Sequence, residues 1–361
     1  MLTPRPGILD ISPYVGGRSH LAGRDSAIKL SSNESALGPS PRAVEAFKAA
    51  AEKLHRYPDG GSSALVEAIG RAHGLDSARI VSGAGSDELL QLLTRGYAGP
   101  GDEVIFTAHG FLVYPIATRA VGATPVVAPE RELTADVDAI LARVTPRTRI
   151  VFLANPNNPT GTYVAEREVA RLRAGLPASV LLVLDAAYAE FVDAPDYRAG
   201  VELVDAGDNV VMTRTFSKVY GLAALRLGWA YCPPAIADVL HRIRGPFNVA
   251  TPAQLAGIEA VRDVAHLAKA REHNARWRER LSAGLRQRGL NVTPSVANFV
   301  LVHFPPDDPK RNAKAAEAFL HARGIIVRNV ENYGLPHALR ITIGLDHEME
   351  AVMEAFAALM A

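Results

Sequence analysis

Short apolar runs recur along the first two thirds of the chain and alternate with stretches whose apolar positions repeat at helical spacing. Val180-Leu181-Leu182-Val183-Leu184 closes on Asp185, and Val210-Val211-Met212 leads to Arg214. Ile150-Val151-Phe152-Leu153 leads to Asn155-Pro156-Asn157-Asn158-Pro159-Thr160-Gly161, a segment too rich in Pro and Asn to continue a regular element. Branched runs of this length mark parallel strands buried on both faces. Between them, Ser40 and Pro41 cap and start a helix with Val44, Phe47, Ala51 and Leu54 on one face, and Gly60 to Ser63 opens another with Leu65, Ile69 and Ala72 inward. Val81 to Gly85 reads as a strand end and glycine turn before a helix capped by Ser86 or Asp87, with Leu89, Leu90 and Leu93 on one face. The alternation holds to about Gly245 and predicts an α/β fold, a largely parallel sheet covered by helices on both sides. Pro246-Phe247-Asn248-Val249 breaks it, Thr251 to Arg288 reads as one long helix, and the rest forms a smaller α/β unit. The expected division is an N-terminal arm (1–40) joined to the small domain, a large domain (41–250) and a small C-terminal domain (251–361).

Open α/β sheets bind ligands at the carboxyl ends of their strands, and here those ends carry the chemistry. Lys218 lies in Arg214-Thr215-Phe216-Ser217-Lys218, eight positions before Arg226. An amine set among hydroxyls and a guanidinium is a candidate Schiff-base lysine beside a phosphate site. Pyridoxal phosphate needs such an amine, a carboxylate for its ring nitrogen, donors for its ring oxygen and a cradle for its phosphate. Lys218, Asp185, Tyr188 with Asn158, and Thr215, Ser217 and Arg226 are the respective candidates. Gly85-Ser86-Asp87, at a predicted helix start, supplies free backbone N–H groups for the same phosphate. Read alone, that segment is equally a plain helix start, and Gly83-Ala84-Gly85 also suggests a dinucleotide-binding module. The third glycine of the dinucleotide fingerprint is missing.

Composition narrows the setting more than the chemistry. The 39 basic and 38 acidic residues leave a net charge of +1, so no whole-chain field favours nucleic acid or a membrane. The single cysteine, Cys232, rules out an intrachain disulfide framework and fits a reducing compartment. No apolar run approaches the ~20 residues of a membrane span, and Met1 to Pro6 lacks the apolar stretch of a signal peptide, which points to the cytoplasm. The 11 histidines show no metal-ligand spacing, and no metal is expected.

Eight motifs in order carry a resemblance over nearly the whole chain: Ile11-Ser12-Pro13-Tyr14, Ser31 to Glu34 with Gly38 to Pro41, Arg56 to Asp59, Gly85 to Glu88, Asn155 to Gly161, Asp185 to Phe191, Arg214 to Arg226, and Arg340 to Gly344. The chain resembles fold-type I pyridoxal-phosphate aminotransferases, and among them the histidinol-phosphate aminotransferases. The resemblance implies a mostly parallel seven-stranded sheet flanked by helices, with a smaller α/β domain. It also implies a homodimer, and an exchange of an amino group between histidinol phosphate and 2-oxoglutarate in histidine biosynthesis. It gives Lys218, Asp185 and Tyr188 catalytic roles, stacks Phe111 on the cofactor ring and lends Tyr57 to the neighbouring subunit's cofactor phosphate. Tyr14, Asn33, Asn158, Arg328 and Arg340 would surround the substrate, with Arg340 the anchor for its anion. An aromatic amino-acid aminotransferase and a phospho-amino-acid decarboxylase on the same scaffold remain open. The chain departs from the family where many relatives read Asp-Glu-Ala-Tyr against Asp185-Ala186-Ala187-Tyr188, and at Thr107-Ala108-His109.

Overall fold

A computed structural model describes residues 2–24 and 26–360. The strands, in chain order, are β1 (Ile28–Leu30), β2 (Ile80–Gly83), β3 (Glu103–Thr107), β4 (Thr124–Ala128), β5 (Glu130–Arg131), β6 (Thr134–Ala135), β7 (Thr148–Ala154), β8 (Leu181–Asp185), β9 (Val210–Thr215), β10 (Gly228–Tyr231), β11 (Asn291–Thr293), β12 (Phe299–His303), β13 (Ile325–Asn329) and β14 (Ala338–Thr342). The principal sheet has seven strands in the order β2-β10-β9-β8-β7-β3-β4. Only β10 runs against the rest, antiparallel to both β2 and β9. This is the mostly parallel α/β sheet that the apolar runs predict.

Alternation along each central strand feeds two hydrophobic layers. Leu182 and Leu184 of β8, Val151 and Leu153 of β7, and Met212 of β9 enter one, while Leu181, Val183, Ile150, Phe152 and Val211 enter the other. A side-chain period of two makes both faces apolar, so the sheet needs helices on each side. The helices are α1 (Pro41–Ala50), α2 (Ser63–His73), α3 (Ser86–Tyr97), α4 (Val113–Ala120), α5 (Val137–Leu141), α6 (Glu166–Gly175), α7 (Val201–Ala206), α8 (Pro234–Ile243), α9 (Thr251–Arg262), α10 (Val264–Gln287), α11 (Ala313–Ala322) and α12 (Asp346–Met360). A second sheet, β1-β13-β14-β12-β11, is backed by Trp277, Leu281 and Leu285 of α10 and by Val352 and Phe356 of α12. Its edge strand β1 pairs in parallel with β13, tying the N-terminal segment to the C-terminal third.

Four local expectations are corrected. The long helix over 251–288 is two helices, broken at Asp263, whose carboxylate accepts the His266 N–H and the Ser40 hydroxyl. A side chain that satisfies a helix start also interrupts the helix before it. The face Val44, Phe47, Ala51 and Leu54 is not buried. Helix α1 turns Ala43 and Ala50 inward, a 3₁₀ turn at Ala51–Lys53 ends the helical spacing, and Phe47 and Leu54 are 43% and 67% exposed. In α2, Ala72 is exposed and Val66 is buried beside Leu65 and Ile69. Helix α3 is capped by Gly85, with φ +90°, and neither Ser86 nor Asp87 caps it; the Asp87 carboxylate turns to Arg226 instead.

Candidate active site

The carboxyl ends of β7, β8 and β9, the start of α3, the N-terminal segment and strands β13 and β14 surround one cavity of about 470 Å³. It gathers Lys218, Asp185, Tyr188, Asn158, Thr215, Ser217, Arg226, Ser86, Asp87 and Phe111 from the large sheet's surroundings. Tyr14, Asn33, Arg328 and Arg340 reach it from the other side. Residues drawn from positions 14 to 340 therefore meet because strand ends converge on one edge of the sheet. Two expected residues do not line it: Gly85, which stands just before Ser86, and Tyr57, which is 82% exposed and stacks on Phe247 with ring centroids 4.6 Å apart.

Asp185 is buried at the end of β8. Its Oδ2 accepts from the Tyr114 hydroxyl at 2.8 Å and its Oδ1 from Thr213 Oγ1 at 3.4 Å. Burial raises its pKa, while Tyr114, Thr213, the Ala187 N–H and Lys218 pull it back. The same burial, with the adjacent carboxylate, pushes the Tyr114 hydroxyl well above its ordinary value, so it stays a donor. Lys218 follows β9, and its Nζ lies 3.4 Å from the Ser32 carbonyl oxygen and 5.7 Å from the Tyr188 ring centroid. Loss of water, then the positive charge of Arg340, lowers the Lys218 pKa to about 8, against an opposing pull from Glu34. A neutral amine is thereby accessible near physiological pH.

The first turn of α3 faces a small cationic corner. Arg226, with φ +47°, sends Nη1 to Ser217 Oγ (3.2 Å) and to the Ala223 carbonyl oxygen (2.9 Å), and Nη2 to Asp87 Oδ1 (2.7 Å). Ser217 N–H in turn donates to Thr215 Oγ1 at 3.1 Å. Glycine is required at two points here. A Cβ on Gly228 would stand 2.4 Å from Ser86 N, and one on Gly85 would stand 2.6 Å from Arg226 Nη2. The two glycines let β10 and the Arg226–Asp87 pair lie close against the helix start, whose first N–H groups suit a phosphate.

Opposite it, both substrate-side arginines are buried and are held by neutral partners. Arg340 Nη2 donates to the Ser31 carbonyl oxygen at 2.8 Å, its Nη1 donates to Asn158 Oδ1, and its Nε has no partner. Arg328 Nη2 donates to the Val15 carbonyl oxygen at 2.8 Å. Tyr188 accepts a 2.8 Å hydrogen bond from Asn33 Nδ2, and Asn33 is itself fixed by Thr342 and Asn298. Phe111 meets Tyr14 edge-on at 6.2 Å and Tyr114 at 5.9 Å.

Sequence reasoning missed Tyr114, Thr213, Thr342 and Asn298. The first was in view three residues after Phe111, but its bond to Asp185 joins positions 71 residues apart. Also missed is the buried Arg214–Glu190 pair, 2.8 Å apart, which staples β9 to the turn after Tyr188 on the far side of the sheet. Ala186, where the family resemblance led to an expected Glu, is buried in the hydrophobic layer and makes an apolar contact there.

Comparison with known proteins agrees with this geometry. The model of the family "Aminotransferase class I and II" matches residues 25–356. The chain belongs to the class I and II aminotransferases. Within this aminotransferase family it is 61% identical over 352 residues to the histidinol-phosphate aminotransferase of Paramagnetospirillum magneticum, covering 98% of this chain and 97% of that one. It is 60% identical, at the same coverages, to that of Rhodospirillum centenum. Among solved structures, the histidinol-phosphate aminotransferase of Sinorhizobium meliloti in complex with pyridoxal-5'-phosphate superposes with a TM-score of 0.91 at 30% identity, covering 100% of this chain and 98% of that one. A Thermus thermophilus aspartate aminotransferase shares the fold, with a TM-score of 0.83 at 21% identity, covering 99% and 100%. No helix among the described residues is long and apolar enough to cross a membrane.

Proposed function

We propose that this aminotransferase uses pyridoxal 5'-phosphate to interconvert L-histidinol phosphate and 2-oxoglutarate with imidazole-acetol phosphate and L-glutamate. The observation that carries the reading is one cavity holding a lysine of lowered pKa, a buried carboxylate and two buried arginines. The 61% identity to a histidinol-phosphate aminotransferase supports the substrate.

The residues fit the cofactor. The bare start of α3 with Ser86 and Asp87 N–H, Thr215, Ser217 and Arg226 would hold its phosphate, Phe111 would cover its ring, and Tyr188 and Asn158 would meet its ring oxygen. When bound, the cofactor supplies an electron-withdrawing ring that stabilises negative charge at the substrate Cα. Asp185, oriented by Tyr114 and Thr213, would pair with the ring nitrogen. Lys218 would hold the cofactor through Nζ, and the same amine, neutral near pH 8, would accept and return the proton of the substrate Cα. Arg340 and Arg328 bind the substrate's phosphate in one half-reaction and a carboxylate of 2-oxoglutarate in the other, two anions that suit the same guanidinium fork. Two half-reactions through one site imply ping-pong kinetics.

In this reading residues 41–250 form the cofactor domain, and 251–361 with the 1–40 arm form the second domain. The working unit is a cytoplasmic homodimer. Phe47, Leu54 and the stacked Tyr57 and Phe247 are exposed apolar side chains that a second copy could cover, and Tyr57 would reach to that copy's cofactor phosphate. The test is an absorbance titration of the cofactor-loaded protein with histidinol phosphate and, separately, phenylalanine. Loss of the lysine-bound band at much lower histidinol phosphate is expected. Equal or better response to phenylalanine would make the protein an aromatic amino-acid aminotransferase, and release of CO₂ without keto-acid consumption would make it a decarboxylase.

A further inference from the structure

The proposed cofactor phosphate corner already contains an anion. Asp87 Oδ1 sits 2.7 Å from Arg226 Nη2, and the pair lies directly over Gly85, whose added Cβ would be 2.3 Å from Asp87 Oδ1 and 2.6 Å from Arg226 Nη2. Asp87 also occupies the first turn of α3, where a negative charge is favoured by the helix's positive end. Two sources of attraction for a phosphate, the guanidinium and the helix start, are therefore both shared with one carboxylate. Arg226 does not need Asp87 to be held, since its Nη1 is fixed by Ser217 Oγ and the Ala223 carbonyl oxygen.

We propose that Asp87 is a built-in competitor for the phosphate: it satisfies Arg226 and the start of α3 when no phosphate is bound, and it weakens retention of a phosphate-bearing cofactor. This rests on the pyridoxal-phosphate reading above. A bound phosphate dianion and the Asp87 carboxylate repel each other across a single guanidinium, a repulsion that solvent weakens but does not remove, since the Arg226 and Asp87 side chains are 51% and 38% exposed. The carboxylate thus makes the cofactor exchangeable, while the contacts to its ring and the remaining phosphate donors keep it in place during turnover.

Asp87→Asn separates charge from position, because the amide oxygen still accepts from Arg226 while the negative charge is gone. Dialysed apoprotein, wild type and variant, is titrated with pyridoxal phosphate and with pyridoxal, followed by visible absorbance, and with inorganic phosphate, followed by calorimetry. The expected result is about tenfold tighter binding of pyridoxal phosphate and of inorganic phosphate to Asp87→Asn, with pyridoxal unchanged. Unchanged or weaker phosphate binding by the variant overturns the proposal, as does an equal gain for pyridoxal. Asp87→Ser, which suits a first helical turn, must show the same gain if Asp87→Asn fails to fold. The cofactor reading is judged separately: wild-type apoprotein that takes up no pyridoxal phosphate overturns it, whereas the inorganic-phosphate comparison tests Asp87 without it.

Discussion

The two ends of the cavity are charged in different ways. At the sheet end Arg226 faces an opposite charge in Asp87, and Asp185 faces the dedicated donors Tyr114 and Thr213. At the arm end Arg328 and Arg340 are buried against carbonyl and amide oxygens alone, and Arg340 keeps a buried Nε with no partner. A buried cation without a counter-ion is costly unless a ligand supplies one. The sheet end is organised in advance, and the arm end awaits an anion. Under the proposed function, reaction type belongs to the first and substrate selection to the second.

Breaking the sheet end should cost most. Lys218→Ala is expected to lower kcat by about 10⁴-fold or more, measured in steady state with histidinol phosphate. Asp185→Ala should lower kcat by about 10³-fold, with the visible band of the bound cofactor altered. At the arm end, Arg340→Gln should lower kcat/KM for histidinol phosphate by about 100-fold while leaving cofactor uptake intact, because it removes a charge-assisted contact to substrate. Tyr114→Phe, which removes one donor from a buried carboxylate, should cost about tenfold in kcat. The pH profile links the two ends. Lys218 works as a neutral amine, so kcat should rise as pH climbs through about 8. The positive charge of Arg340 helps hold that value down, so in Arg340→Gln the rising limb should move to higher pH.

The sheet end was legible because its information is local. Each of β7, β8 and β9 is an apolar run followed within a few residues by the polar side chain it presents, so Asn158, Asp185 and Lys218 could be picked out from the linear sequence. What failed was what a second element decides. Asp87 looks like a cap until Arg226, 139 residues on, is seen to claim it. Phe47 and Leu54 look like core until α1 is found to present its alanines inward. Thr251 to Arg288 looks like one helix until Ser40 and Asp263 meet. Tyr14, Asn33, Arg328 and Arg340, the residues proposed to meet the substrate, carried no local signal of their own. Family resemblance pointed to them, and their convergence follows from β1 pairing with β13 beside β14.

The most direct test of the uncompensated arm end compares kcat/KM for histidinol phosphate with that for histidinol, in the wild type and in Arg340→Gln. The account predicts a wild-type preference for the phosphorylated amine of about 10³-fold, falling to within about tenfold in the variant. A wild-type ratio near one, or a large ratio unchanged by Arg340→Gln, would contradict it.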